Sequence, residues 1–188
     1  DFNKNTVLTV GTFDGVHKGH QMLLKYLKSV AAEKSLRPLL ITIDPHPQIV
    51  LQKGGKPHIK LLTTIEERIE LFREYGLKNL LIIPFSYEFS RTKPEQFIEK
   101  YLYQKTGLRH ILVGYDHLFG KDRSGNNNLL EEYGLRLDFE VEKMSPYLEN
   151  GDIISSTKIR NLLSQNKIRE SNQMLGYDYS VTGKIVRG

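Results

Sequence analysis

The stretch Val7-Leu8-Thr9-Val10-Gly11-Thr12-Phe13-Asp14-Gly15-Val16-His17-Lys18-Gly19-His20 constrains this chain more than any other. It opens with an apolar, partly β-branched run that reads as a buried strand. Gly11 and Gly15 break the run into a tight turn. From His17 onward the spacing changes, and Met22, Leu23, Leu24, Leu27 and Val30 fall on helical offsets. The unit is therefore strand, glycine turn, helix. Such a unit aims free backbone N–H groups and the positive end of a helix at whatever lies above the sheet edge, which makes an anion site. His17 and His20 lie three residues apart with Gly19 between them. On a first helical turn both rings can point to the same side. The glycine lets a phosphate approach the backbone, and the imidazoles donate hydrogen bonds and, when protonated, charge.

Length and composition bound what surrounds this unit. At 188 residues the chain holds one α/β domain with a sizeable core and a small appendage. It has no cysteine, which excludes disulfides, a thiolate metal site and a thiol nucleophile, and fits a cytoplasmic protein. No apolar run approaches membrane-spanning length, so no membrane partner is expected. Asp1 is not an initiator residue, so further residues are expected ahead of it. The net charge of +5 fits a lysine-rich solvated surface, the common case, or an anionic partner: a nucleotide, a phosphorylated metabolite or a nucleic acid. Because the basic residues are spread rather than blocked, nucleic acid is not expected.

Along the chain, strands and helices alternate. A second strand over 39–43 runs into Asp44-Pro45-His46-Pro47, where the prolines stiffen the exit and forbid a helix. Residues 48–62 read as a long loop above the strand ends. Thr63-Thr64-Ile65-Glu66-Glu67 carries a helix-start signature, and Gly76 ends that helix. A third strand over 80–85 leads into an aromatic loop over 85–90. A helix beginning at Pro94 runs to about residue 105. A fourth strand, 110–114, precedes the loop Gly114-Tyr115-Asp116-His117-Leu118-Phe119-Gly120-Lys121-Asp122-Arg123-Ser124-Gly125. A short helix over 127–133 and a fifth strand over 137–141 follow. The pattern predicts an α/β fold, a doubly wound, Rossmann-like parallel sheet of about five strands. Ligands of such sheets bind beyond the carboxyl ends of the strands, where the loops above converge. In Ile154-Ser155-Ser156-Thr157-Lys158-Ile159-Arg160, Ser155 or Ser156 can cap a helix. Its hydroxyls, free N–H groups and nearby Lys158 and Arg160 make a second anion site. A further helix over 168–175 completes a small C-terminal helical subdomain. The last residues, 179–188, read as β-like.

Gly-Thr-Phe-Asp-Gly-Val-His-x-Gly-His resembles the signature of the nucleotidyltransferase superfamily, in its bacterial FAD synthetase and cytidylyltransferase branches. The Asp44 to Pro47 turn, Phe85 with Pro94-Glu95-x-Phe97, the Gly114 to Gly125 loop and Ile154 to Arg160 resemble the flavin branch in particular. The chain is therefore similar to the FMN adenylyltransferase module of prokaryotic bifunctional riboflavin kinase/FAD synthetases. The resemblance implies transfer of AMP from ATP to FMN, giving FAD and pyrophosphate, with Mg²⁺. It implies catalytic roles for His17, His20, Ser156, Thr157 and Arg160. Gly11, Phe13, Asp14, Gly19 and Lys158 would shape the nucleotide site, and Pro45, Pro47, Phe85, Asp116 and Phe119 the flavin site; the metal ligands stay open. Residues 1–179 would be the adenylyltransferase domain and 180–188 the opening of a riboflavin kinase module otherwise absent. Another adenylyl- or cytidylyltransferase of the same superfamily, or a non-catalytic nucleotide-binding module, is the alternative.

Overall fold

Residues 5–52, 59–114, 117–149, 151–183 and 186–187 are described here from a computed structural model. In its first half the chain forms β1 (Thr6–Gly11), α1 (Lys18–Glu33), β2 (Arg37–Asp44), a single turn α2 (Pro47–Val50), α3 (Ile65–Glu74) and β3 (Leu80–Pro84). Two short helices follow, α4 (Tyr87–Ser90) and α5 (Pro94–Gln96), the latter continuing as a π-helix over Phe97–Gln104. Then come β4 (Leu108–Gly114), a 3₁₀ turn Lys121–Arg123, α6 (Asn127–Leu137) and β5 (Glu140–Met144). The hairpin β6 (Leu148–Glu149) and β7 (Asp152–Ile153) leads to α7 (Ser156–Ser164) and α8 (Ile168–Leu175).

Five parallel strands form one sheet in the order β3-β2-β1-β4-β5. The winding leaves β1 toward β3, then returns to β4 on the other side of β1. This reversal puts a crevice at the carboxyl ends of β1 and β4, the position where open α/β sheets bind ligands. Being central, β1 is buried on both faces, which explains its unbroken apolar run. Leu8 and Val10 face Phe97, Ile98, Ile111 and Leu130, while Val7 joins Leu24, Leu27, Leu40 and Phe72 under α1 and α3. Leu8, Leu24, Leu27, Leu40 and Ile111 are all fully buried. Each such side chain contributes about 1.5–3 kcal/mol. A smaller third cluster of Leu62, Ile154, Ile159 and Leu175 fastens α7 and α8 beside the sheet, with Tyr147, Tyr177 and Tyr179 packed against it.

The doubly wound parallel sheet and the helical C-terminal subdomain match the sequence expectation; several local readings change. The Asp44 to Pro47 turn does not forbid a helix: Pro47 occupies the first position of α2, where its missing N–H costs nothing, and His46 caps the turn. The 48–62 loop therefore starts as helix, and its residues 53–58 lie outside the described set. Residues 87–90 of the aromatic loop likewise close one helical turn, capped by Ser86. Helix α6 runs on to Leu137, so β5 begins at Glu140 rather than at 137. Gly134 allows this, because the Phe139 carbonyl lies 2.6 Å from where a Cβ would stand. Asp138 then ends the helix in the left-handed region, at φ 62°. The described residues of 179–188 form no strand.

Candidate functional site

The turn after β1 is wound tightly. Phe13 and Val16 adopt left-handed backbones at φ 52° and 33°, with Gly15 at φ 77°. For a β-branched residue that is strained, and strain of this kind collects at functional sites. Val16 N–H closes the turn on the Phe13 carbonyl at 3.0 Å. The turn delivers His17 to the N-cap of α1, where its Nδ1 accepts from the His20 N–H at 3.4 Å. A neutral imidazole that accepts at Nδ1 carries its proton on Nε2. The two rings stack, with centroids 3.6 Å apart and planes 17° apart, and the Phe13 edge meets His20 at 5.1 Å. Gly19 fits beneath: a Cβ there would stand 3.2 Å from His17 Cε1. Burial lowers the His17 pKa to about 4, although its backbone hydrogen bond opposes the shift. Burial, and then the neighbouring His17, lower that of His20 well below the usual histidine value. Both rings are therefore neutral at pH 7 and work as hydrogen-bond groups rather than as fixed cations. His20 Nδ1 is buried and has no hydrogen-bond partner among the described residues.

The start of α7 meets this turn across more than a hundred residues of sequence. Ser155 caps α7 through the Lys158 N–H at 3.2 Å, which decides between the two serines. Ser156 instead donates its hydroxyl to the Asp14 carbonyl at 2.8 Å. Arg160 sends Nη1 to Asp14 Oδ2 at 2.6 Å and Nη2 to Thr157 Oγ1 at 3.2 Å. Two helix N-termini, each an anion attractor, thus flank one crevice. Gln21 ties α8 to the same corner, donating to the Val16 carbonyl at 2.8 Å and the Leu175 carbonyl at 2.6 Å. The Tyr177 hydroxyl donates to the Gly15 carbonyl at 2.7 Å, and burial raises its pKa.

A model of the FAD synthetase family matches residues 1–158. The chain belongs to the FAD synthetase family. It is similar to bifunctional riboflavin kinase/FMN adenylyltransferases. That of Buchnera aphidicola subsp. Schizaphis graminum is 36% identical over 187 residues, which are 99% of this chain and 59% of the relative. That of Listeria monocytogenes is 35% identical, covering 98% of this chain and 58% of the relative. A crystal structure described as a macrolide-efflux protein from Streptococcus pneumoniae superposes with a TM-score of 0.80 at 26% identity. The match covers 95% of this chain and 60% of that one. The chain thus spans about three fifths of the length of the relatives it matches.

Within this chain, Ser156, Thr157 and Arg160 gather on Asp14, three residues before His17 in the turn that carries the His17–His20 stack. Gly11 lies under the Phe13 ring, and Phe13 and Asp14 are both buried. Phe13 therefore supports His20 from behind. Lys158 pairs with Asp152 at 2.9 Å, and Lys18 with Glu149, so both lysines hold the β6–β7 hairpin beside the site. At the end of β2, Pro45 is exposed and Pro47 half-buried. Phe85 is half-buried and begins a ladder of rings: Phe85 to Phe89 at 5.9 Å, Phe89 to Phe97 at 6.2 Å, Phe97 to Phe119 at 5.7 Å. Phe119 is only 8% exposed and stacks on His117 at 5.6 Å, so it is part of the wall rather than its surface. Asp116 lies outside the described residues.

Two residues matter that sequence reading passed over. Arg68 is 1% exposed and holds the ends of β1 and β2 together, through the Thr12 carbonyl at 2.7 Å and Asp44 Oδ1 at 2.6 Å. Its signal was an arginine on the apolar stripe of α3, one turn before Phe72. His46 sits close enough to Asp14, Arg160, Arg68 and Asp44 to feel their charges, and burial is the main cause of its lowered pKa. That placement joins the end of β2 to the crevice.

Proposed function

We propose that this chain transfers AMP from ATP to FMN, releasing pyrophosphate and forming FAD. The observation that carries the reading is the meeting of the stacked histidines with the start of α7 at the switch point of the sheet. An FMN phosphate oxygen attacks the α-phosphorus; the bond from that phosphorus to the bridging oxygen breaks, and the pyrophosphate leaves with the electron pair. The FMN phosphate is ionised at neutral pH, so no general base is required. The protein's part is alignment and stabilisation of charge on the leaving group. Neutral His17 and His20 donate hydrogen bonds to the triphosphate. Ser156, Thr157 and Arg160 hold its distal phosphates, with Gly11, Gly19 and Lys158 around them. Pro45, Pro47 and Phe85 border the flavin, Phe119 backs that wall from inside, and Asp116 is assigned to the flavin site by the family resemblance.

Mg²⁺ belongs to this reading as part of the nucleotide. Among the described residues no group of three His, Asp or Glu side chains is placed to hold a metal. That suits an ion that keeps its waters and takes its remaining ligands from substrate phosphates. Bound there, it would neutralise phosphate charge. The same reading makes residues 1–179 the adenylyltransferase domain and 180–188 the lead into the kinase module named in the relatives. It also puts the chain in the cytoplasm, where ATP and FMN are available; among the described residues no helix is long and apolar enough to cross a membrane.

Incubation with ATP, Mg²⁺ and either FMN, nicotinamide mononucleotide or phosphopantetheine tests the proposal. FAD from FMN alone is the expected product. A product from another acceptor would make this a different transferase of the superfamily, and no product with ATP still bound would make it a nucleotide-binding module.

A further inference from the structure

Asp14 lies in the same turn as the histidines, yet its side chain is only 2% exposed. Every oxygen it has is engaged from inside the protein. Oδ1 accepts from the Leu62 N–H at 2.9 Å and the Thr63 N–H at 3.1 Å. Oδ2 accepts from Arg160 at 2.6 Å, and the backbone carbonyl accepts from Ser156 at 2.8 Å. The Thr63 hydroxyl, 3.4 Å from Oδ1, takes the Gly15 N–H at 2.9 Å and so braces the turn from the other side. A carboxylate enclosed in this way touches neither a substrate nor a metal. Arg160 is different: it is 19% exposed, and a guanidinium carries more donors than its bonds to Asp14 and Thr157 use.

We propose that Asp14 is a positioning residue for adenylyl transfer. It latches Arg160 and the start of α7 in register with His17 and His20, and acts on the reaction only through Arg160. This rests on the adenylyl-transfer reading above. The physical reason is the length and freedom of the arginine side chain. Unlatched, its planar fork would sample many rotamers and swing toward whichever anion is nearest. With one edge fixed on Asp14, the remaining N–H groups point in one direction before the nucleotide arrives. Displacement by an ångström at such a site costs on the order of 10²-fold in rate.

The latch has two arms, and one substitution separates them. In Asp14→Asn the amide oxygen still accepts from Leu62 and Thr63, so the loop remains pinned. The amide nitrogen then faces Arg160, a donor against a donor, and the latch is lost. The test measures kcat, KM for ATP and melting for Asp14→Asn, Arg160→Ala and the double variant, with the acceptor that the wild-type chain turns over. Wild-type product formation tests the functional reading by itself; the ratios among variants test the latch. The expected result is a fold kept in Asp14→Asn, kcat lowered by about 10²-fold and KM changed much less. In the Arg160→Ala background, Asp14→Asn then adds no further loss. Losses that multiply in the double variant, or wild-type kcat in Asp14→Asn, overturn the proposal. A second measurement does not depend on Asp14→Asn folding. Guanidinium ion added to Arg160→Ala should restore part of the rate, because the intact Asp14 carboxylate gives it a seat. Absence of rescue counts against the latch.

Discussion

Replacing Arg68 with methionine removes a buried cation and leaves its partners in place. The guanidinium is 1% exposed and bonds the Thr12 carbonyl at 2.7 Å and Asp44 Oδ1 at 2.6 Å, with weaker reach to Thr42 and the Ile43 carbonyl at 3.5 Å. Removing one member of a buried pair typically costs about 3–5 kcal/mol, because the other is left unpaired. Asp44 is 30% exposed and regains water, which places the expected loss near the lower end, about 3 kcal/mol. Methionine fills much of the same volume, so a cavity adds little. For a domain of this size each kcal/mol shifts Tm by about 2–4 °C, so the melt should fall by about 6–12 °C. Urea denaturation at neutral pH gives the free energy directly, and an unchanged slope shows that the comparison is of like states. Arg68→Lys should fall between the two: it keeps the charge, but one ammonium does not span Thr12 and Asp44 with the geometry of a fork. A loss below about 1 kcal/mol for Arg68→Met would refute the argument that this arginine holds the two strand ends together.

Three other outcomes follow from the site. His17 has a folded pKa of about 4 against an unfolded value near 6.5, so the unfolded chain binds more protons between those values. Stability should therefore be fully present above pH ~6.5 and be lost as pH falls toward ~4. A His17→Asn variant would still cap α1 but flatten that part of the profile, as read by urea melts across the range. Gly15→Ala should lose roughly 1–3 kcal/mol and much activity. Its φ is +77°, and the new methyl would stand 2.6 Å from Leu62 Cδ1, which differential scanning calorimetry reads as a lowered melt. His20→Ala should lower kcat by about 10²–10³-fold with little change in KM for ATP; unchanged kcat with a raised KM would mean that the ring gives only uniform binding.

The fold was legible because β1 is buried on both faces and α1 on one, so that hydrophobic period and burial say the same thing. The capping box at Thr64 and Glu67 was legible for the same reason, a local rule with a local outcome. The end of α6 was not: Gly134 reads as a stop, and only the Phe139 carbonyl packed over it explains why the helix continues. In the site, residue types at fixed spacing announced the histidines and the α7 start. What spacing does not carry is direction. Asp14 and Phe13 belong to the motif but face inward, as supports of Arg160 and His20. Arg68 was hidden because its closest partners, the Thr12 carbonyl and the Asp44 carboxylate, are far from it in sequence.

The Asp14–Arg160 pair also has a place in time. Its members are 146 residues apart, so during synthesis the histidines leave the ribosome long before their counterpart does. A chain that has reached only β5 holds the first half of the crevice and nothing to latch onto it. Contacts so distant in sequence are among the last to form, because loop closure must precede them. The small cluster under α7 and α8 is also the least extensive of the three, so this corner should open before the sheet does. On the adenylyl-transfer reading, handling of the triphosphate is thereby reserved for chains in which α7 has docked, because a nascent or partly opened molecule does not complete the crevice.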